Sequence, residues 1–253
     1  MRLTFIILAA ALPSCSQVRT QLTDTPINSI VLTSVRSMPK GCGYDASQAA
    51  VDRLASSVSL KNGIIKQDLK AAKSTFCSGA TYLVFLRTIE QLRLGNSTFL
   101  PESKYTRFAD LRVKDGEEIF GRWNANGPGT AKLFSDLKCG INFTSYDHAN
   151  PGDFMKMWWT NAIGKKERGH SVIYLGSHGD QILYWSANHP EGYGCKSVAK
   201  SRVKHVLFSR LTNPAKLVNA HRLAPRDSFL EDMLHRDFTW RQISQSCKIK
   251  AHP

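Results

Sequence analysis

Apolar residues in the first third of the chain recur at helical spacing. Val51, Leu54 and Val58 lie three to four residues apart, behind a capping-box-like start at Asp45 to Gln48. This spacing predicts a first helix from about residue 45 to residue 58.

A longer apolar run, TYLVFLRTIEQLRL, covers residues 81–94. Ser74 or Thr75 can cap the start of a helix here, and Gly95 suits the left-handed conformation that commonly ends one. The pattern predicts a helix of about twenty residues. Its apolar content predicts that the helix is central and buried.

The spacing becomes alternating after Pro151-Gly-Asp153, where FMKMWW begins a series of short runs typical of strands. The predicted elements are a strand over 170–176, a hairpin turn at 177–180, a returning strand over 181–188, a strand over 204–211 and a helical tail over 226–242. Helices followed by an antiparallel sheet predict the α+β class.

The remaining segments suggest one domain with additions. A chain of 253 residues suits one well-packed domain, and we assign residues 41–253 to it. Residues 96–150 are rich in Asn, Gly, Asp, Lys and Arg and are interpreted as an insertion. Residues 16–40, rich in Ser, Thr, Gln and Pro, are interpreted as a tether.

The first 15 residues have the pattern of a secretory signal: Arg2, a short apolar run, and a small-residue end at Ser14 and Cys15. The stretch LPSC also resembles a bacterial lipobox, which implies a lipid anchor on Cys15. We therefore expect export to the periplasm or cell envelope, with lipid anchoring through Cys15.

The charge balance narrows the choice of partner. Lys and Arg total 34 against 20 acidic residues, a net charge of +14. Such a charge favours an anionic partner. With export expected, an anionic wall polymer, an acidic stem peptide or a membrane surface fits better than nucleic acid.

The cysteine count carries a further expectation. If Cys15 is lipidated and one other cysteine is catalytic, four remain for two disulfides: Cys42, Cys139, Cys195 and Cys247. Three pairings are open. No two cysteines have the spacing of zinc ligands, and no glycine loop suited to phosphate occurs, so we predict neither a metal nor a cofactor.

One cysteine and one histidine have the placement that nucleophilic catalysis requires. Cys77 falls in the first turn of the long helix, where free N–H groups and the helix dipole favour a thiolate, and His170 begins a strand. Asn188, on the returning strand, is the predicted orienting residue because its amide oxygen can accept from an imidazole N–H. Ser186 and His189 are the alternatives.

Three residues complete the predicted site as contacts for a substrate: Ser78, Trp185 and Ser186. For Trp185 the alternative is ordinary core packing. For Cys77 it is a disulfide or an inert buried thiol, and for His170 a structural histidine of the sheet.

Three motifs resemble those of NlpC-type cell-wall peptidases. Phe76-Cys77-Ser78-Gly79-Ala80 resembles their Cys-Ser-Gly signature, Pro151-Gly-Asp153 their PGD turn, and Gly169-His170 with the following strand their GH-strand. The resemblance covers roughly residues 70–95 and 150–190. It implies a papain-like fold with the catalytic Cys at the start of a buried helix, packed on an antiparallel sheet that carries the His. Phe76 departs from the Asp that the family often has there.

The resemblance implies a peptidoglycan hydrolase, a cysteine endopeptidase that cleaves amide bonds of stem peptides through a thioester. Three alternatives stay open. One is a peptidoglycan amidase acting as an interbacterial toxin, with an inhibitor or immunity protein as partner. The others are an acyltransferase of the same fold and a non-catalytic wall-binding lipoprotein.

Overall fold

The computed structural model describes residues 26–95 and 102–250. Its helices are α1 (Pro26–Arg36), α2 (Gln48–Ser57), α3 (Cys77–Gly95), α4 (Glu102–Ala109), α5 (Glu118–Asn124), α6 (Gly129–Leu137), α7 (Ser228–Asp232) and α8 (Trp240–Ser246). The predicted signal and lipobox at 1–15, and residues 16–25 of the predicted tether, lie outside the described residues. Among the helices described, none has the length and apolar content needed to cross a membrane.

The strands are β1 (Gly41–Cys42), β2 (Val58–Lys61), β3 (Ile64–Gln67), β4 (Gly140–Phe143), β5 (Phe154–Trp158), β6 (Gly169–His178), β7 (Gln181–Asn188), β8 (Gly192–Ala199) and β9 (His205–Leu211). Seven of them form one antiparallel sheet in the order β1-β8-β7-β6-β5-β9-β4, and β2 and β3 form a separate hairpin. The α+β prediction is confirmed.

Helix α3 is the centre of the core. It covers 19 residues, as the apolar run predicted, and every side chain from Ala80 to Leu86 is at most 2 % exposed. Helix α1 packs on one side of it, strands β6 and β7 on another, and α5 on a third. Phe85 stacks on Trp123 of α5 with 4.8 Å between ring centroids. Because neighbours surround the helix, its sequence has no polar face.

The hairpin of β6 and β7 matches the predicted strand pair closely. A two-residue loop, Gly179-Asp180, joins them, and Gly179 has the positive φ of 56° that such tight turns require. The returning strand covers residues 181–188 as predicted. Strand β8, which contains Lys196, was not predicted, because its sequence GYGCKSVA has few β-branched residues.

Other element boundaries differ from those predicted. Helix α2 begins at Gln48, and its N-cap is Ser47, whose side chain accepts from the Ala50 N–H, so the cap lies two residues after the predicted one. Asp45 instead accepts from the Ser47 N–H and pairs with Arg53 at 2.6 Å. The tail predicted as one helix over 226–242 is instead two short helices, α7 and then α8, which begins at Trp240 and continues past the predicted end.

The described part of the predicted insertion, residues 102–150, shares the main core. Trp123 of α5 and Phe134 of α6 pack with Phe154 of the sheet, at 5.2 and 5.7 Å between ring centroids. Strand β4 pairs with β9 at one edge of the sheet. This segment therefore packs on both α3 and the main sheet.

Helix α1 occupies residues that the sequence assigned to the tether, and this is a correction. Val31 and Val35, one turn apart, are buried in the core. The Asn28 side chain donates to the Pro151 carbonyl at 3.0 Å and to Asp153 Oδ1 at 2.9 Å. Polar residues between the valines concealed the helical spacing, and these distant contacts hold the segment.

The Asp of the PGD motif has a structural place. Asp153 is fully buried and accepts two hydrogen bonds from Arg210, at 2.8 and 2.7 Å, besides those from Asn28 and the Asn150 N–H. A buried carboxylate is tolerated where it is paired and its remaining lone pairs are bonded. The motif thus joins α1, the start of β5, and β9.

The expected pairing of four cysteines is contradicted. Cys42, Cys139 and Cys247 are free thiols. Cys195 is disulfide-bonded, but not to any of these three cysteines. Cys139 and Cys247 are fully buried in two different apolar clusters, where burial raises the pKa of each thiol. Both pack as small apolar side chains, which is a common role for cysteine.

Candidate active site

Cys77 begins α3 and is partly accessible. The segment before it is fixed by Thr75, which bridges to Tyr44 and accepts from the Asp45 N–H at 3.2 Å. A Cβ at Gly79 would lie 2.7 Å from Leu54 of α2 and 2.8 Å from Thr75 Oγ1. The glycine of the Cys-Ser-Gly signature therefore lets α2 approach the helix start that carries Cys77.

His170 and Asn188 are joined across the β6–β7 pair. His170 Nε2 lies 3.1 Å from Asn188 Oδ1. The Asn188 amide nitrogen donates to the Ser186 carbonyl at 3.1 Å and to the Gly194 carbonyl at 2.9 Å. Both amide hydrogens are thereby used, so Oδ1 must accept and His170 Nε2 must carry the proton. Nδ1 is then the ring nitrogen left for Cys77.

The His170 ring is held from a second side by Tyr184, whose ring meets it edge-on at 5.7 Å between centroids. The ring is also half-buried. The predicted orienting residue, Asn188, is the one that contacts the imidazole. Of the two alternatives, Ser186 donates to the Ser171 carbonyl at 2.7 Å, and His189 packs against Tyr44.

The Cys77 thiol is strongly acidified. Burial by itself would raise its pKa, but a hydrogen bond to His170, the positive charges of His170 and Lys156, and the backbone N–H of Ser171 outweigh this effect. Together they lower the pKa from 9.0 to about 6. At neutral pH the sulfur is therefore a thiolate, the form that acts as a nucleophile.

Tyr44 is a site residue that the sequence did not indicate. Burial, the nearby thiolate and the hydrogen bond that its hydroxyl donates to the Cys77 sulfur raise the pKa of Tyr44 well above the usual value. The Cys77 N–H, which donates to the same hydroxyl, opposes this effect. The Tyr44 backbone N–H donates to the Pro190 carbonyl at 3.1 Å, which ties this segment to the end of β7. No local pattern distinguishes Tyr44, since it stands in an irregular segment before α2.

Ser78 connects the helix start to the predicted insertion. Its hydroxyl donates to Asn124 Oδ1 at 2.7 Å, and the Asn124 amide donates to Asp115 Oδ1 at 2.7 Å. Burial raises the pKa of Asp115, and its bond from Asn124 opposes this. Ser78 is only 9 % exposed, so little of its side chain is accessible for the predicted contact with a substrate.

Two predicted substrate contacts have structural places instead. Trp185 is 3 % exposed and stacks on Tyr193 in the core, with 5.9 Å between ring centroids. Ser186 has no exposed surface. In an isolated hairpin every second residue would face solvent. Here neighbouring strands and α3 cover both residues, so both are buried.

The described residues contain no group of three or more His, Cys, Asp or Glu side chains placed to hold a metal ion. Comparisons of the chain with models of known families, with curated proteins and with solved structures found no match.

Proposed function

We propose that this protein is a cysteine hydrolase that cleaves amide bonds in peptidoglycan stem peptides through a thioester on Cys77. One observation carries the proposal. The imidazole of His170, oriented by Asn188 at 3.1 Å, lies beside a cysteine at the start of a buried helix and lowers the pKa of its thiol. Nucleophile, base and orienting group are the three parts that such chemistry requires.

In the proposed reaction the Cys77 thiolate attacks the carbonyl carbon of the scissile amide, and a C–S bond forms. The carbonyl electron pair moves to oxygen. Once the sulfur is bonded to carbon, the Tyr44 hydroxyl turns from the sulfur to donate to the oxyanion, and the Cys77 N–H that it leaves donates as well. His170 gives its proton to the leaving nitrogen as the C–N bond breaks. His170 then takes a proton from water, which attacks the thioester and releases the carboxylic acid and the thiolate.

We also infer that the fold is papain-like and of the NlpC type. A cysteine-bearing helix start packed on an antiparallel sheet, with the histidine on β6 and its orienting amide on the adjacent β7, supports a papain-like fold of the NlpC type. The resemblance of the Cys-Ser-Gly and Gly-His motifs supports it independently. The net charge of +14 suits an anionic wall substrate. Export stays a prediction.

The test is to incubate the purified protein with peptidoglycan of several chemotypes and to identify the soluble fragments by mass spectrometry. Cys77→Ala is the inactive variant, and Cys42→Ala is the matched control, because Cys42 is an exposed free thiol outside the site. New amine and carboxyl ends made by the wild type and by Cys42→Ala, but not by Cys77→Ala, would support hydrolysis. The position of the new ends would distinguish stem-peptide cleavage from release of the peptide from sugar.

Absence of fragments from the wild type in every wall preparation would contradict hydrolysis. The same samples also address acyl transfer, since the thioester would then pass its acyl group to an amine or hydroxyl and give products of higher mass. If neither kind of product forms, and both the wild type and Cys77→Ala associate tightly with the wall, the results would favour a binding protein.

A further inference from the structure

Strand β5 carries one lysine among apolar side chains, and its ammonium lies beside the site. Lys156 pairs across the strands with Ser171 of β6 and is 16 % exposed. A Cβ at Gly169 would lie 2.8 Å from Lys156 Cε and 3.2 Å from Lys156 Nζ. The ammonium thus lies beside Gly169, the residue before His170.

This stretch also contacts the nucleophile. The Ser171 backbone N–H donates to the Cys77 sulfur, and Lys156 and Ser171 line one small space with Thr81, which lies one helical turn beyond Cys77. The positive charge of Lys156 lowers the pKa of the Cys77 thiol, and the thiolate in turn raises the pKa of Lys156. The lysine is largely buried, so its charge acts on the thiolate through a medium of low dielectric, where a charge is effective over several ångströms.

Glu167 fixes the position of the lysine. Its Oε1 accepts from Lys156 Nζ at 2.7 Å. Its Oε2 accepts from the Gly127 N–H at 2.6 Å, Trp158 Nε1 at 3.0 Å and the Gly164 N–H at 3.3 Å. These donors hold the carboxylate, which in turn holds one of the three ammonium hydrogens.

The charged and titratable groups around the sulfur come from four parts of the chain. They are His170 on β6, Lys156 on β5 with Glu167 in the following loop, Asp115 before α5, and Tyr44 before α2. Burial alone would lower the pKa of Lys156, but Glu167, the Cys77 thiolate and Asp115 raise it, so the ammonium stays protonated. His170 is the only other cation in this set.

We propose that Lys156 is a positioning residue for Cys77, a permanent positive charge that keeps the sulfur anionic after His170 has lost its proton. The proposal rests on the proposed nucleophilic role of Cys77. If His170 were the only cation beside Cys77, the thiolate would lose its stabilising positive charge when the imidazole becomes neutral. With Lys156 present, the thiolate and a neutral His170 can coexist, and His170 is then free to act as a base toward water.

The test measures thiol ionisation without any substrate. The rate at which iodoacetamide alkylates Cys77 is followed against pH, with mass spectrometry of the Cys77 peptide to separate it from the other cysteines. We expect Lys156→Gln to raise the pH midpoint by about one unit, the effect of removing an opposite charge within several ångströms. Lys156→Arg keeps the charge and should restore the wild-type midpoint. Lys196→Gln, which removes a charge paired with exposed Glu191, is the matched control and should change nothing.

A Lys156→Gln protein that unfolds cooperatively like the wild type but keeps its midpoint would overturn the proposal. If that variant does not fold, Lys156→Met replaces it, since it keeps the apolar length of the side chain and removes only the charge. Its midpoint should rise as for Lys156→Gln, and an unchanged midpoint would also overturn the proposal. Since alkylation needs no peptidoglycan, a failure to release wall fragments would leave this result intact, and the two proposals fail separately.

Discussion

Asn188 Oδ1 accepts a hydrogen bond from His170 Nε2 at 3.1 Å, while both hydrogens of the same amide are held by the carbonyls of Ser186 and Gly194. If the amide rotated, both carbonyls would lose their hydrogen-bond donors. Its oxygen is therefore a fixed acceptor that sets both the tautomer and the plane of the imidazole.

Removing this acceptor should slow catalysis. We expect Asn188→Ala to reduce the initial rate of fragment release by about 10- to 100-fold, part of the roughly 10²- to 10⁴-fold that positioned acid–base catalysis supplies. Asn188→Asp keeps an oxygen for His170 and should retain more activity than Asn188→Ala. A wild-type rate for Asn188→Ala would show that the contact does not orient the base.

The Tyr44 hydroxyl should matter to the rate far more than to stability. We expect Tyr44→Phe to slow fragment release by about tenfold or more, because removing one donor to an oxyanion commonly costs roughly 10²- to 10³-fold and the Cys77 N–H remains. Tyr146→Phe, which removes a hydroxyl remote in the fold, is the matched control. Equal rates for both variants would remove Tyr44 from the proposed mechanism.

The acidified thiol should make stability depend on pH. The folded protein holds Cys77 as a thiolate above about pH 6, whereas in the unfolded chain its pKa is near 9.0, so unfolding takes up a proton in this window. The free energy of unfolding of the wild type should therefore rise from pH 6 to pH 9 relative to Cys77→Ala. This contribution is lost as the pH falls through 6.

Denaturant titrations across this window give the comparison, with Cys42→Ala as the control for removal of a cysteine. The control should follow the pH dependence of the wild type. If Cys77→Ala also follows it, the thiol is not acidified in the folded protein.

The Asp of the PGD motif should matter to folding. We expect Asp153→Ala to lower the free energy of unfolding by about 3 kcal/mol, because it leaves Arg210 and Asn28 without their buried acceptor. Asp232→Ala breaks an exposed ion pair with Arg236 and should cost less than about 1 kcal/mol. Chemical denaturation measures both, and similar losses would contradict the structural role assigned to Asp153.

The elements that the sequence predicted well are those specified by neighbouring residues. The apolar run after Cys77 could only be a buried helix of its length, and the alternation on either side of Gly179-Asp180 set the hairpin that brings His170 beside Asn188. Hydrophobic periodicity and turn-forming residues act over a few neighbouring positions, so both can be recognised in a single sequence.

The remaining features depend on residues that are far apart in the chain. Tyr44 reaches Cys77 because its backbone is tied to Thr75 and Pro190, and Asn28 makes α1 part of the core through Asp153, which lies 125 residues away. Long-range packing likewise buried Trp185 and left Cys139 and Cys247 apart as free thiols.

The sequence by itself thus determined the helix that carries the nucleophile and the strand pair that carries the base with its orienting amide. Only the tertiary structure decided the surroundings of the sulfur, including Tyr44 and Lys156. The physical reason is that local patterns specify which element a residue joins. The field at a buried atom is the sum over every group that folding brings near it.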